Sequence, residues 1–399
     1  MNPLRQLRHL PTRRLLGVLA GVVVLAGSVT AVAVAALGGS GPIPAAKTLA
    51  AAIHDALDGP KIAGVTAQIQ FTDNLVDTSS IPGAGPLLSG ASGRLWADDS
   101  GHIRLELQAS AGDTEITVAP GSFQIFDVAS NTVYRGTLPA DKPDGSQTTH
   151  QPPSLQTITD ALDKLIGKVG ISGADPTDVG GAPAYSVTFS PRHGGGLLGS
   201  AELAFDADNG APLRLAVYAQ GDTSPVLELT ATQVSFGPVA PADVSVTPPT
   251  NAKVVEVSAP TTPAGAHPDA KPVTGSAAVA AALPFTLDAP AELAGLPQTS
   301  VRLVTEGKKA GALVAYGQHL GGILVLERQA SRPAPAAKTP APSASASSSG
   351  LPTVTINGAT GTEVATALGT LIRFQATGID YIVLGSVPPA AAEAAARGL

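Results

Sequence analysis

Few residues in this chain have the type and spacing that chemistry needs. Seven histidines, His9, His54, His102, His150, His193, His267 and His319, are scattered along it. No two have the spacing of metal ligands, and carboxylates near them are sparse, which is the pattern of solvated or loop histidines. Gly194-Gly195-Gly196 lies between strand-like stretches and not before a helix opening with Lys-Ser or Lys-Thr, so it reads as a hairpin loop rather than a phosphate cradle. Asp98-Asp99 and the pair Asp206 and Asp208 read as turn carboxylates, with a catalytic pair as the remote alternative. No Gly-x-Ser-x-Gly elbow occurs. The chain has no cysteine. That excludes disulfides, thiolate metal sites, a cysteine nucleophile and a lipidated N-terminal cysteine. No catalytic residue, metal site or cofactor motif emerges, and the reading is a binding protein and not an enzyme.

The chemistry that remains is apolar contact. Residues 93–139 alternate apolar and polar positions, at Ile103, Leu105, Leu107 and again at Ile116 and Val118. A period of two describes strands with one apolar and one wet face. The stretch predicts three or four strands joined by short turns. A preceding strand over 64–71 carries Val65, Ala67, Ile69 and Phe71 on one face. Three later strands, over 184–190, 200–206 and 212–219, place Tyr185, Val187 and Phe189, then Leu203 and Phe205, then Leu213, Leu215 and Val217 on one face. With Leu95, Trp96, Phe123 and Ile125, these are the candidates for an apolar wall. Trp96 is the single tryptophan, and on a central strand it reads as core before ligand platform. The competing interpretation of every such residue is plain core packing.

Two helices accompany the strands. Residues 46–57 carry Leu49, Ala50, Ile53 and Leu57 at helical spacing, ended by Gly59-Pro60. Ser154 is a plausible N-cap for a helix through 168, with Leu155, Ile158, Leu162, Leu165 and Ile166 on one face. That helix and the Gly/Pro/Ser-rich loop 73–92 are the candidates for a lid. DADNG at 206–210 is a hairpin turn, and a further strand spans 226–236.

The N-terminus sets the expected compartment. Arg5, Arg8, Arg13 and Arg14 precede an uncharged apolar run over 15–37. A bilayer takes about 20 residues to cross. The flanking arginines orient residues 1–14 to the cytoplasm and the remainder outside. The run reads as a single-pass anchor in the cytoplasmic membrane. The alternative is a signal peptide cleaved near Ala33-Val34-Ala35 or Ala31-Val32-Ala33, which makes the protein secreted. The net charge is −7, with no concentrated basic patch, so nucleic acid is not an expected partner.

The expected organisation is a first domain over 45–255, a Pro/Ala/Thr-rich linker over 256–283, and a small α+β domain over 284–399 interrupted by a low-complexity insertion at 331–350. Strands of the second domain are expected over 300–306, 312–318, 322–328, 352–356, 369–376 and 380–386, followed by an Ala-rich helix.

The element order and several short motifs resemble the lipoprotein-carrier family of LolA, LolB and RseB over roughly 45–255. The motifs are Gly93-Arg94-Leu95-Trp96 with Ile103-Arg104-Leu105-Glu106, the hairpin 123–138, the strand 180–191, and Phe205-Asp206 leading to Gly210-Ala211-Pro212-Leu213-Arg214. Ala119-Pro120-Gly121 departs from the family's usual turn. The resemblance implies an α+β fold, an incomplete antiparallel β-barrel wrapped around helices. It also implies a lipid or lipoprotein acyl chain as ligand, for transport or sensing. The layout of two domains is similar to RseB, which implies the alternative of a regulator of envelope stress signalling that binds an anti-sigma factor. Val314-Ala315-Tyr316-Gly317, Ile356-Asn357-Gly358 and the strand over 381–386 resemble a small C-terminal domain of extracytoplasmic bacterial proteins.

Overall fold

The computed structural model describes residues 41–76, 88, 90–110, 112–138, 153–167, 169–257, 273–306, 309–330 and 352–399. The expected span 15–37, the insertion 331–350, most of the loop 73–92 and part of the expected linker lie outside them. Among the described residues no helix is long and apolar enough to cross a membrane. The chain divides near residue 260 into two compact units.

The first unit opens with α1 (Leu49–Asp58), capped by the Thr48 side chain, which accepts from the Ala51 N–H. Strands β1 (Gly64–Asp73), β2 (Ala91–Asp98), β3 (Ile103–Ala109), β4 (Gly112–Ala119), β5 (Ser122–Asp127) and β6 (Thr132–Thr137) follow. Then come α2 (Leu155–Ile166), β7 (Val169–Ile171), β8 (Asp175–Val179), β9 (Ala182–Pro191), β10 (Leu198–Asp206), β11 (Pro212–Ala219), β12 (Leu227–Phe236) and β13 (Lys253–Val257). All belong to one sheet in the order β13-β6-β5-β4-β3-β2-β1-β12-β11-β10-β9-β7, with β8 also paired to β9. Pairing is antiparallel except for β13, which runs parallel to β6. The chain therefore lies mostly in β structure with few helices.

The sheet curls into a half-barrel. Leu107 on β3 and Ala184 on β9 are six strands apart in the order, which in a flat sheet is about 29 Å at the usual strand spacing. Both belong to one buried cluster with Ala67, Ile69, Leu213 and Ala231. A methyl group at Gly93, in mid-β2, would lie 1.7 Å from the Glu106 carbonyl oxygen on β3. Only glycine allows so close a backbone approach.

Two differences from expectation stand out. Residues 91–137 form five strands, because each turn is only a few residues long. Helix α2 does not cap them. Its buried Ile158 is part of its packing against α1 and β7, at the far end of the sheet order. Leu155 and Leu165 stay 45% and 39% exposed. Strands β7, β8 and β13, of three to five residues, are too short to carry a periodic signal.

The second unit holds α3 (Ser276–Ala282), β14 (Glu292–Leu293), β15 (Leu296–Glu306), β16 (Lys309–Tyr316), β17 (Ile323–Gln329), β18 (Thr353–Ile356), β19 (Ala359–Thr366), β20 (Gly369–Ala376), β21 (Ile379–Gly385) and α4 (Pro389–Arg397). Its sheet order is β14-β15-β16-β17-β21-β20-β19-β18. Both helices pack on one face through Val279, Ala392, Ala395 and Ala396, against Val314, Val325, Val383 and Ile372. Helix α3 falls in the segment expected to be linker, where its short Ala-rich sequence resembles a coil by composition.

One group in this core is out of character. Glu327 is fully buried, opposite Ala312 on β16 and Tyr381 on β21. Its Oε2 accepts from the Asp288 N–H at 3.1 Å, and its Oε1 has no partner. Burial, with the Asp288 charge nearby, pushes its carboxyl up to about 7. The folded state thus prefers the protonated acid. Its preference weakens stability as pH rises from the unfolded carboxylate value, about 4.3, through 7, and the loss is complete above that.

Two outcomes are expected. Gly93→Ala should lower the unfolding free energy of the first unit by about 2 kcal/mol through forced separation of β2 and β3, measured by urea denaturation. Glu327→Gln should raise the thermal midpoint of the second unit at pH 8 and leave it nearly unchanged at pH 4, followed by calorimetry.

Candidate functional site

The concave face of the first unit is built from rows of side chains in register. One row crosses seven strands as Val234, Ala67, Leu95, Leu105, Ile116, Ile125 and Tyr134. The row beside it runs Phe236, Val65, Ala97, Ile103, Val118 and Phe123. Across β12 the apolar face continues through Leu229, Leu215, Leu203 and Val187.

This face has three parts. Under α1, Tyr185, Val187, Phe189 and Phe205 pack with Ala52, Ala56, Leu49 and Ile53. The Tyr185 hydroxyl donates to the Ala45 carbonyl at 2.6 Å. These four candidates are covered by a helix. In the middle, β1, β11 and β12 enclose a cavity of about 60 Å3, room for about two water molecules. Val65, Ala67, Ile69, Leu95, Leu213, Leu215, Leu229, Ala231 and Val234 line it. Phe71 packs at its margin and Leu107 is buried beside it. Toward β6, Ile103, Leu105, Ile116, Val118, Phe123 and Ile125 are only partly buried, and Tyr134 is 37% exposed. The packing of α1 is on Tyr185, Val187 and Phe205, and that of α2 on α1 and β7. Leu203 is partly exposed and Val217 buried.

Trp96 does not join this wall. Adjacent strand residues point to opposite faces, so Trp96 sits on the convex side, in register with Thr66 and Arg104. The Arg104 guanidinium lies 5.1 Å from its ring centroid, a cation–π contact. Arg104 also pairs with Glu115 at 3.2 Å and with Glu106.

The convex face carries a second ionic group. Arg214 pairs with Glu202 and Glu228, each at 2.6 Å. Tyr218 donates to Glu202 at 3.1 Å, and the Ser186 hydroxyl also bonds Glu202. Burial works against the Arg214 charge, but Glu202 and its neighbours outweigh it and hold the guanidinium firmly protonated. Burial likewise opposes the Glu202 charge. The Ser186 hydroxyl and Arg214 overcome it and hold that carboxyl below its ordinary value.

The polar candidates resolve into turns. Asp98 binds the His102 ring at 2.9 Å and the backbone N–H groups of Ser100 and His102. Asp206 accepts from the backbone of Asp208 and Asn209. Among the described residues no group of three His, Asp or Glu side chains is placed to hold a metal ion. His9, His150 and His267 lie outside them.

Alternation places Ala67 and Leu213 on this face, but periodicity did not single out Leu229, Ala231 or Val234. Leu213 shares the alternation of Leu215. The β12 residues are masked by a bulge: Ile69 faces Ala231 while Gln68 faces Gln233, so their spacing breaks the period of two.

No family model and no curated protein matches the chain. Solved structures do. The MucA/MucB complex of Pseudomonas aeruginosa is similar at 14% identity over 87% of this chain and 96% of that one, with a TM-score of 0.41. MucB in complex with the periplasmic part of MucA is similar at 16% identity over 87% and 94%, with a TM-score of 0.39. A LolA superfamily protein of Nitrosomonas europaea is similar at 10% identity over 50% and 99%, with a TM-score of 0.20.

A ligand on the concave face should leave Trp96 untouched. Adding palmitate should not move its emission, whereas Arg104→Ala should. A palmitate-dependent shift of the indole spectrum would put the ligand on the convex side and refute this placement.

Proposed function

We propose that the first unit is an acyl-chain binding module, holding a lipid or lipoprotein chain for transport or sensing outside the cytoplasmic membrane. One observation carries this reading. The concave face is apolar from β11 to β6, and the two described helices of this unit, α1 and α2, pack at its other end. A chain laid on it gains about 0.8 kcal/mol per buried methylene without any polar contact. The cavity of about 60 Å3 is too small for such a chain, so the seat is the partly buried half, along Leu95, Leu105, Ile116 and Ile125, with the cavity at its inner end. The basic residues before the apolar run 15–37 agree with a membrane-tethered protein, where acyl chains are at hand.

A second reading, a regulator that binds an anti-sigma factor, rests on a different feature. Strand β13 pairs with β6 through one edge only, and Val254 and Val257 are 47% and 39% exposed. Such an edge can take an added strand from a protein partner.

The test uses the chain purified from membranes. Mass spectrometry of an extract should find co-purified lipid, and fluorophore-labelled palmitate should bind. Leu105→Asp should weaken that binding about tenfold or more, the loss expected when one leucine contact is removed from an apolar seat. Lipid-free material with no uptake, or uptake unaffected by Leu105→Asp, would defeat the proposal. Binding of a candidate anti-sigma segment abolished by Val254→Lys, in the absence of lipid uptake, would favour the second reading.

A further inference from the structure

The second unit has an apolar face that its own core does not use. Alternation along β17 sends Val325 and Glu327 inward under the helices and Leu324 and Leu326 outward. On that outer face Leu324 stands beside Leu384, and Leu384 beside Leu371. The neighbouring row joins Leu313, Leu326 and Ile382. Leu324 and Leu384 are 41% and 46% exposed.

Both rows end in polar groups at the β15 edge. Leu313 is in register with Arg302, and Arg302 with Thr274. The other row ends at Ser300, through Ala315. At this edge lies an open cavity of about 410 Å3, whose lining includes Thr274, Ser276, Gln298, Thr299, Ser300 and Arg302. That volume is in the range of ligand pockets. Gln298 is occupied by the Ala289 and Pro290 carbonyls and by the Ser276 hydroxyl. Arg302 makes no ion pair among the described residues. Arg373, at the other end of the Arg302 row, is paired with Asp380 at 2.8 Å. The whole chain is acidic, yet this edge of the face presents the Arg302 guanidinium.

A flat aliphatic strip, bounded by an arginine and a group of hydroxyls, complements a surface that is anionic outside and apolar just beneath. We propose that the outer face of the second unit docks on an anionic phospholipid bilayer, with a headgroup phosphate at Arg302, Thr274 and Ser300 and with Leu324 and Leu384 entering the headgroup–acyl boundary. Arginine forks match phosphate oxygens, and shallow apolar insertion plus cationic contact is how peripheral proteins hold to anionic membranes. The site is independent of acyl-chain binding by the first unit. It gives a tethered chain a second contact with the membrane.

The absence of cysteine makes the test clean. The full chain carrying Leu384→Cys, labelled with an environment-sensitive fluorophore, is reconstituted into vesicles of phosphatidylcholine alone or with phosphatidylglycerol, each containing brominated lipid. Ala394→Cys, exposed on α4 on the opposite side of the sheet, is the control. The label at position 384 should be quenched when phosphatidylglycerol is present, and the label at 394 should not. Arg302→Ala should weaken the phosphatidylglycerol-dependent signal about fivefold. An unquenched label at 384, equal quenching at both positions, or indifference to Arg302→Ala overturns the proposal. Leu105→Asp should leave all these signals unchanged, so failure of this site and failure of the acyl seat are separately visible.

Discussion

The first unit depends on the pairing of β1 with β12. Strand β1 is hydrogen-bonded to β2 on one side and β12 on the other, so it joins two halves of a sheet that come from distant parts of the chain. Without it the β2–β6 meander and the β9–β12 meander would each be an open sheet with one wet edge too many. The pairing carries the bulge opposite Gln68 and Ile69, and bulges increase local twist. It falls beside the enclosed cavity, and Ile69 and Ala231, the residues at the irregularity, both line that cavity. Fold closure and the candidate site thus share one structural cause.

The two faces of this sheet are kept apart by charge as much as by apolar contact. Arg104, with Glu106 and Glu115, and Arg214, with Glu202 and Glu228, stand on the convex side of the two halves. A slip of one residue in any of these strands would turn a guanidinium or a carboxylate into the apolar concavity. These largely buried ion pairs add little net stability in themselves, because desolvation of the charges offsets their attraction. Their weight lies in the cost of the alternative register, where a partly buried charge would lose its partner.

Both units leave apolar surface outside their own cores, for different reasons. In the first, α1 and α2 pack together at the β9–β7 end, and among the described residues the apolar side chains of the β2–β6 half stay only partly buried. In the second, both helices choose one face, and the other keeps Leu324 and Leu384 in the open. Isolated exposed leucines are ordinary, but in-register rows across three or more strands form continuous patches, which in soluble proteins mark places of contact.

Much of this was legible in the residues alone. The period of two along Ile103–Leu107 and Ile116–Val118 dictates strands with one apolar face, because strand geometry alternates side chains regardless of context. The N-cap Ser154 and the glycine-bearing turns place element ends for equally local reasons. The sequence also separates Leu95 from Trp96 by that same alternation, a distinction the choice of apolar residue types obscured. What it did not contain was neighbourhood. Which strand lies beside β1, where the bulge falls, and which apolar residues a helix covers are set by contacts between segments far apart in the chain, and no local period encodes them. The partly buried half of the concavity and the outer face of the second sheet are the faces on which α1, α2, α3 and α4 do not centre their packing, and that is a decision of tertiary packing alone.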